Sequence, residues 1–140
     1  MSKTKTVISK EIALDDLERL INKFVKRPEP RDELETKYLD ILDAIMDGYL
    51  TIGDNAVPVY KLKDPILNDK GEASVTELNF KTRILPSELT QLAKGLHPIN
   101  DLYLLQNKMT VDIIGKTVVF LDKLSKYDLD VVNQLAAVFS

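Results

Sequence analysis

The sequence predicts an α+β fold in which a small antiparallel β-meander, of about three strands, packs against helices and follows an N-terminal helical pair. Three stretches of the sequence indicate this fold. Apolar residues recur at helical spacing over residues 9–48, alternate with polar residues over residues 49–81, and return to helical spacing over residues 86–139. With 140 residues, 44% hydrophobic and 29% charged, the chain has the size and composition of one globular domain.

The N-terminal region is predicted to be a flexible polar tail followed by two helices. Residues 1–8 form the tail, and the first helix runs from Ser9 to about Arg27. Its apolar stripe consists of Leu14, Leu17, Leu20, Ile21, Phe24 and Val25. The second helix is predicted to begin with Asp32 as its N-cap and to end at Gly48.

The second helix is also predicted to have a strongly negative face, because its acidic residues are opposed only by Lys37. These acidic residues are Asp32, Glu33, Glu35, Asp40, Asp43 and Asp47. A solvated face is the simpler interpretation. A binding surface for a basic partner is the alternative.

The middle of the chain, from residue 49 onward, is predicted to form the three strands and to make one compact unit with the helices on either side. Alternating apolar residues flank the turn Gly53-Asp54-Asn55, which indicates a hairpin. Pro58 lacks a backbone N–H, so it is placed at the beginning or edge of its strand. A second pair joins residues 59–63 to residues 74–81 through the turn residues Asp64-Pro65 and Asn68-Asp69-Lys70-Gly71. Because three strands are not stable alone in water, the helices are expected to cover them.

Four helical segments are predicted after the meander. A short helix begins at Pro86, and residues 101–108 add a turn or two. Thr110 is predicted to cap a third helix that continues through Gly115, and Ser125 is predicted to cap the last one. The apolar stripe of the last helix consists of Leu129, Val132, Leu135, Ala136 and Phe139.

Apolar side chains between residues 102 and 121 are too numerous for one narrow helical stripe. One interpretation is a central helix that is buried on several sides. The other is an apolar surface that is open to another copy of the chain or to a client helix. On the second interpretation, the predicted partner-binding residues are Leu102, Leu105, Met109 and Phe139.

No catalytic residue, cofactor site or metal site is predicted. The chain has no Cys, its glycines do not cluster into a phosphate-binding spacing, and its single histidine, His97, is predicted to be a surface loop residue. The carboxylate pairs Asp15-Asp16 and Asp128-Asp130 each open a helix, where negative charge is favourable for structural reasons. We therefore expect a protein that is not an enzyme.

Charge and hydropathy argue against nucleic acids and membranes as partners. The net charge is −3, and no run of Lys and Arg offers the positive face that binds phosphates. The N-terminus lacks the apolar core of a signal peptide, and no later segment approaches the apolar length of a transmembrane helix. A cytoplasmic protein is predicted.

From about residue 57 to the end, the order of elements resembles the Mu-like phage tail assembly chaperones. A strand ending in LKDPI, a return strand TELNF and a helix PSELTQL are followed by the terminal segment LDKLSKYDLDVVNQLAAVF. The matching positions are Pro65, Ile66, Thr76, Glu77, Leu78, Asn79, Phe80, Pro86, Leu89, Leu121, Leu124, Ser125, Asp128 and Phe139. The helical pair over residues 9–48 has no counterpart in that family pattern.

The resemblance implies a non-catalytic chaperone that binds the tape-measure protein and keeps it soluble during tail assembly, in the cytoplasm of the host cell. The tail-tube protein is a further partner that the resemblance implies, and a homo-oligomer is compatible with it. One alternative is a structural tail or baseplate subunit of a phage or phage-like particle. Another is a small hydrolase or nucleotide-binding enzyme whose site is assembled from scattered carboxylates.

Overall fold

The α+β prediction is confirmed by the structure, a computed structural model that describes residues 8–25, 29–83, 85–97 and 99–139. The helices and strands of these residues are α1 (Lys10–Phe24), α2 (Arg31–Lys37), α3 (Leu39–Met46), β1 (Leu50–Ile52), β2 (Pro58–Leu67), β3 (Ala73–Asn79), α4 (Pro86–Ala93), α5 (Leu102–Ile114), α6 (Val118–Leu121) and α7 (Lys126–Phe139). The strands form one antiparallel sheet in the order β1-β2-β3.

Helix α1 begins where the sequence predicts it, because Ser9 caps it. The Ser9 hydroxyl accepts a hydrogen bond from the N–H of Ile12 at 3.4 Å. The residues that α1 buries against the rest of the chain are Ala13, Leu14, Leu17, Leu20 and Ile21. The helix ends at Phe24, and the predicted end at Arg27 lies outside the described residues.

One residue of the predicted tail falls within the described part of the chain. The N–H of Ile8 donates to the carbonyl of Met46 at 3.1 Å, and its half-buried side chain packs against the core. Residues 1–7 lie outside the described residues. The flexible tail therefore stays a prediction.

The predicted second helix is two helices, α2 and α3, so the prediction of one continuous helix was wrong. Tyr38 separates them, with backbone angles of φ −120° and ψ 41°. The side chain of Gln134, on α7, accepts a hydrogen bond from the N–H of Ile41 at 2.8 Å and so satisfies an amide in the first turn of α3. Pro30, and not the predicted Asp32, occupies the N-cap position of α2.

Several carboxylates on the acidic face of α2 and α3 have partners within the chain. Glu35 forms an ion pair with Lys10, and Asp47 accepts a hydrogen bond from the Tyr127 hydroxyl at 2.8 Å. Partial burial, together with neighbouring carboxylates, raises the pKa of Asp43. These contacts accord with a solvated face, and a basic partner for it stays an alternative.

The meander has the predicted order, but β2 is longer than predicted. Pro58 is its first residue and lies opposite Ile52 of β1, where its missing N–H removes no interior hydrogen bond. Asp64 and Pro65, which the sequence places in a turn, lie inside β2. The prediction of a turn at these two residues was therefore wrong.

The irregular part of β2 explains how Asp64 and Pro65 fit into a strand. Between Lys61 and Ile66 the register with β3 shifts, because β2 has more residues than β3 over this interval. The N–H groups of Lys63 and Asp64 donate instead to the carboxylate of Asp128, at 2.9 and 3.0 Å. A side chain of α7 thus replaces β3 as the partner of the bulged backbone.

Asp128 is completely buried, at 0% exposure, in the first turn of α7. It also accepts hydrogen bonds from the Tyr60 hydroxyl at 2.5 Å and from the Ser125 hydroxyl at 3.0 Å, so that four donors share its two oxygens. The Ser125 hydroxyl in turn accepts from the N–H of Asp128 at 3.2 Å, which confirms Ser125 as the cap of α7. Burial, and secondly the bond to Asp128, raise the pKa of Tyr60.

The buried side chains of the N-terminal helices, the sheet, α5, α6 and α7 belong to one hydrophobic cluster. Phe139, at the end of α7, packs edge to face against Phe24 of α1 with ring centroids 4.8 Å apart. It also lies beside Phe80, which follows β3, at 6.4 Å. The last helix therefore joins the N-terminal helices to the sheet.

Replacement of Asp128 by Ala should lower the free energy of unfolding by about 3–5 kcal/mol, because buried N–H and O–H donors lose their acceptor together. Asp128→Asn keeps one acceptor oxygen and should lose less. The measurement is equilibrium urea unfolding at pH 7.

Asp130→Ala is the matched control for this prediction. Asp130 lies on the same helix but pairs with the exposed Lys126 at 2.8 Å. Its loss should change the free energy of unfolding by no more than about 0.5 kcal/mol. Equal losses for the two Ala variants would contradict the role assigned to the buried carboxylate.

Candidate binding surface

Helix α5 is continuous from Leu102 to Ile114, whereas the sequence predicts two separate segments here. Thr110, the predicted cap, lies inside the helix and its hydroxyl donates to the Gln106 carbonyl at 3.0 Å. Gly115, predicted to lie within a helix, ends α5 with a φ of +69°. Both predictions were wrong, because Thr can satisfy its hydroxyl on the preceding helical turn and Gly adopts the left-handed conformation that terminates helices.

Only the second half of α5 belongs to the core. Its buried residues are Thr110, Val111, Ile113 and Ile114. The large exposed apolar residues of its first half are Leu102, Tyr103 and Leu104. Helix α4 has no buried residue. We call α4, its connection to α5 and the first half of α5 the arm (residues 86–97 and 99–109).

Lys81, which follows β3, fastens the arm to the sheet. Its N–H donates to the carbonyl of Ile113 at 2.7 Å. Its ammonium group contacts the carboxylate of Glu88 on α4 and that of Asp112 on α5, the latter at 3.0 Å. Hydrogen bonds to Glu88 and then Asp112 raise the pKa of Lys81, and the bond from Lys81 lowers the pKa of Glu88. One cation therefore orients two helices.

His97 lies exposed in the connection between α4 and α5, which confirms its prediction as a surface loop residue. Its Nδ1 accepts hydrogen bonds from the N–H groups of Ile99 and Asn100 at 3.2 and 3.1 Å. The backbone N–H of His97 donates to the Asp101 carboxylate at 2.7 Å. These bonds order the turn into α5, where Ile99 lies at the surface and is 78% exposed.

A groove with a volume of about 690 Å³ separates the first half of α5 from the second half of α7. The α5 residues that line it are Leu102, Tyr103, Leu105, Gln106, Asn107, Met109 and Thr110, and the α7 residues are Asn133, Ala136 and Ala137. No charged side chain is among these described lining residues. The groove thus offers apolar area with amide and hydroxyl groups.

The structure brings together three of the four residues predicted to bind a partner. Leu102, Leu105 and Met109 all line the groove. Phe139 does not, because it is only 6% exposed and packs inside the core against Phe24. It supports α7 from within and offers little surface to a partner.

Sequence reasoning missed Tyr103 and Ala137. Tyr103 lines the groove and is 82% exposed, but it is not among the predicted partner-binding residues. Ala137 is exposed on the opposite wall. The excess of apolar residues around position 103 could have indicated that Tyr103 lies on an open surface. A single alanine such as Ala137 gives no such indication.

The carboxylates that could have formed an acid-base or metal site are used otherwise. Asp15 pairs with Arg31 at 2.8 Å, Asp16 pairs with Arg19 at 2.9 Å, and Asp128 is part of the buried network. Within the described ranges, no group of His, Asp and Glu residues could hold a metal ion. None of the helices in that part of the chain is both long and apolar enough to cross a membrane.

Comparison of the chain with protein-family models, with curated proteins and with solved structures finds no match in any of the three. The interpretation of the groove therefore depends on the residues of this chain. An uncharged groove between two helices has the chemistry of a helix-in-groove contact, in which the apolar face of a third helix fills the space.

Replacement of Lys81 by Met should loosen α4 without unfolding the core, because the ammonium group that joins Glu88 to Asp112 is lost. The backbone amides of residues 87–93 should exchange with deuterium faster, while those of α7 keep their protection. Lys126→Met, which removes another exposed ion pair of similar length, is the control and should leave α4 unchanged. Unchanged exchange in both variants would contradict the anchoring role.

The same contact should weaken in acid. The pKa of Glu88 is lowered from its usual 4.5, so its contribution is complete above that value and disappears as the pH falls through the lowered pKa. The pKa of Lys81 is raised from 10.5, so its contribution is lost only as the pH rises through that higher value. The protection factors of the α4 amides should therefore fall below about pH 4. Lys81→Met should reduce this dependence without abolishing it, because the Glu88 carboxylate also accepts a hydrogen bond from the N–H of Leu85 at 2.9 Å.

Proposed function

We propose that this protein is a non-catalytic phage tail assembly chaperone that binds an apolar helix of the tape-measure protein in the groove and keeps that protein soluble until the tail tube forms around it. The observation that supports this proposal is the uncharged apolar groove on an arm that lies outside the core. The tail-tube protein, which meets the complex during assembly, is the second proposed partner. The work would take place in the cytoplasm of the host cell.

The shape of the groove is suited to an amphipathic helix. Leu102, Leu105 and Met109 follow one another at intervals of three and four residues, so they form one ridge along α5. Ala136 and Ala137 on the facing wall are small, which lets the backbone of a bound helix approach closely. Side chains of the client would then lie between the α5 wall, where the flexible side chain of Met109 can adapt to them, and the α7 wall, which the two small alanines leave flat.

The energetics favour a reversible complex. Burial of apolar surface contributes about 25 cal/mol per Å², but association also costs translational, rotational and side-chain freedom. The exposed residues Ile99, Leu102 and Tyr103 add contact area around the groove. The cost of association offsets part of the gain from burial, and an assembly chaperone requires such a reversible contact with its client.

The charge distribution supports a soluble, unassembled protein. The net charge of −3 opposes non-specific association, while the groove itself carries no charge that the client would have to desolvate. The uncharged lining is complementary to the apolar stripe of a helix, which would otherwise aggregate with other copies of the client.

Co-expression with a phage tape-measure protein should increase the soluble fraction of that protein and allow the two to be purified together. The double variant Leu102→Glu, Leu105→Glu should lose both effects, because charge enters the apolar ridge. Val119→Glu is the matched control, since Val119 is 65% exposed but lies on α6, outside the groove. Soluble tape-measure protein is quantified in cleared lysate and in the affinity eluate.

Two results would contradict the proposal. If the unmodified chain neither solubilised the tape-measure protein nor co-purified with it, the proposed chaperone function would be refuted. Recovery of this protein at a fixed stoichiometry in purified particles would instead identify a structural tail or baseplate subunit, since a chaperone leaves before assembly is complete.

A further inference from the structure

The groove carries three side-chain amides among its apolar residues. Gln106 and Asn107 lie on the α5 wall, and Asn133 lies on the α7 wall. All three residues are exposed, and in the described part of the chain none of their side chains forms a hydrogen bond with another residue. In the unbound protein these amides therefore form their hydrogen bonds with water.

Two neighbouring polar side chains, in contrast, have partners within the fold. The side chain of Gln134, which follows Asn133 on α7, accepts a hydrogen bond from the N–H of Ile41 at 2.8 Å. The hydroxyl of Thr110, which also lines the groove, donates to the Gln106 carbonyl at 3.0 Å. The fold thus satisfies these two polar groups itself and leaves the three groove amides available to a bound chain.

A client helix that fills the groove removes these amides from water. A buried amide without a hydrogen-bond partner is costly, so a client face that is apolar throughout matches the groove poorly. A charged client side chain also matches it poorly, because no described lining residue has the opposite charge and an ion costs more to desolvate than an amide. A client amide or hydroxyl group meets both conditions, since it is uncharged and both donates and accepts hydrogen bonds.

The position of Gln106 also sets a register for a bound helix. It lies four residues after Leu102 and three residues before Met109, so it shares one side of α5 with both. A helix that lies along α5 therefore meets apolar side chains before and after the amide. A single buried asparagine fixes the register of a coiled coil in the same way, because only one alignment pairs polar groups with polar groups.

We propose that the groove selects client helices whose apolar face is interrupted by one uncharged amide or hydroxyl side chain, and that Gln106 and Asn133 are the residues that contact it. This inference rests on the proposed function, and it adds the chemistry of the client segment. The apolar residues of the groove supply affinity. The two amides, one on each wall, determine which helix binds and in which register.

Two synthetic amphipathic peptides test this selection. Each has a leucine face and an outer face of Glu and Lys, and they differ only in the central residue of the leucine face, which is Asn in one peptide and Leu in the other. Binding to the protein is measured by fluorescence anisotropy. The double variant Gln106→Leu, Asn133→Leu should bind the Asn peptide at least about fivefold more weakly than the unmodified protein does, and the Leu peptide more tightly.

Gln91→Leu is the matched control, since Gln91 is an exposed amide on α4 outside the groove, and it should change either dissociation constant less than about twofold. Circular dichroism verifies that each variant is folded. If the double variant bound both peptides more tightly, or neither differently, the selection would be refuted while helix binding in the groove stood. If the unmodified protein bound neither peptide, both the selection and helix binding in the groove would be refuted.

Discussion

The buried carboxylate of Asp128 joins the beginning of α7 to the irregular part of β2, and the remaining architecture depends on this junction. A bulged strand leaves backbone N–H groups without a partner in the sheet, which is costly inside a protein. Asp128 supplies the acceptor for Lys63 and Asp64 while Ser125 caps the helix that carries it. The direction of α7 follows from this point of attachment.

The position of α7 determines both the core and the groove. One face of the helix buries Val132, Leu135 and Phe139 against the N-terminal helices and the sheet. The opposite side of its second half, with Asn133 and Ala137, forms a wall of the groove. The scaffold and the candidate binding surface are therefore two sides of one helix, with the Lys81 contact orienting the facing wall.

Local signals in the sequence predicted the elements that depend on neighbouring residues. Ser9 and Ser125 cap their helices, and Pro58 begins its strand, because each preference acts within a few residues. The break at Tyr38 escaped prediction since the group that satisfies Ile41 belongs to Gln134, which lies 93 positions along the chain.

Other features that depend on contacts between distant parts of the chain also escaped prediction. Asp64 and Pro65 have the composition of a turn, and the acceptor that keeps Asp64 in a strand lies 64 positions away. For the candidate binding surface, the excess of apolar residues indicated an open apolar surface that includes Leu102, Leu105 and Met109, and these three residues line the groove. Composition does not indicate which aromatic side chain the fold leaves uncovered. The sequence therefore favoured Phe139, which is buried, over Tyr103, which is exposed.

The division of α5 into a buried half and an exposed half has an evolutionary consequence. Substitutions near Ile113 change packing and are removed by selection for folding, whereas substitutions near Tyr103 change only exposed surface. The outer turns can therefore diverge faster than the inner turns without loss of stability. Related chains would then keep the residues of the buried turns of α5 and differ in those of its exposed turns.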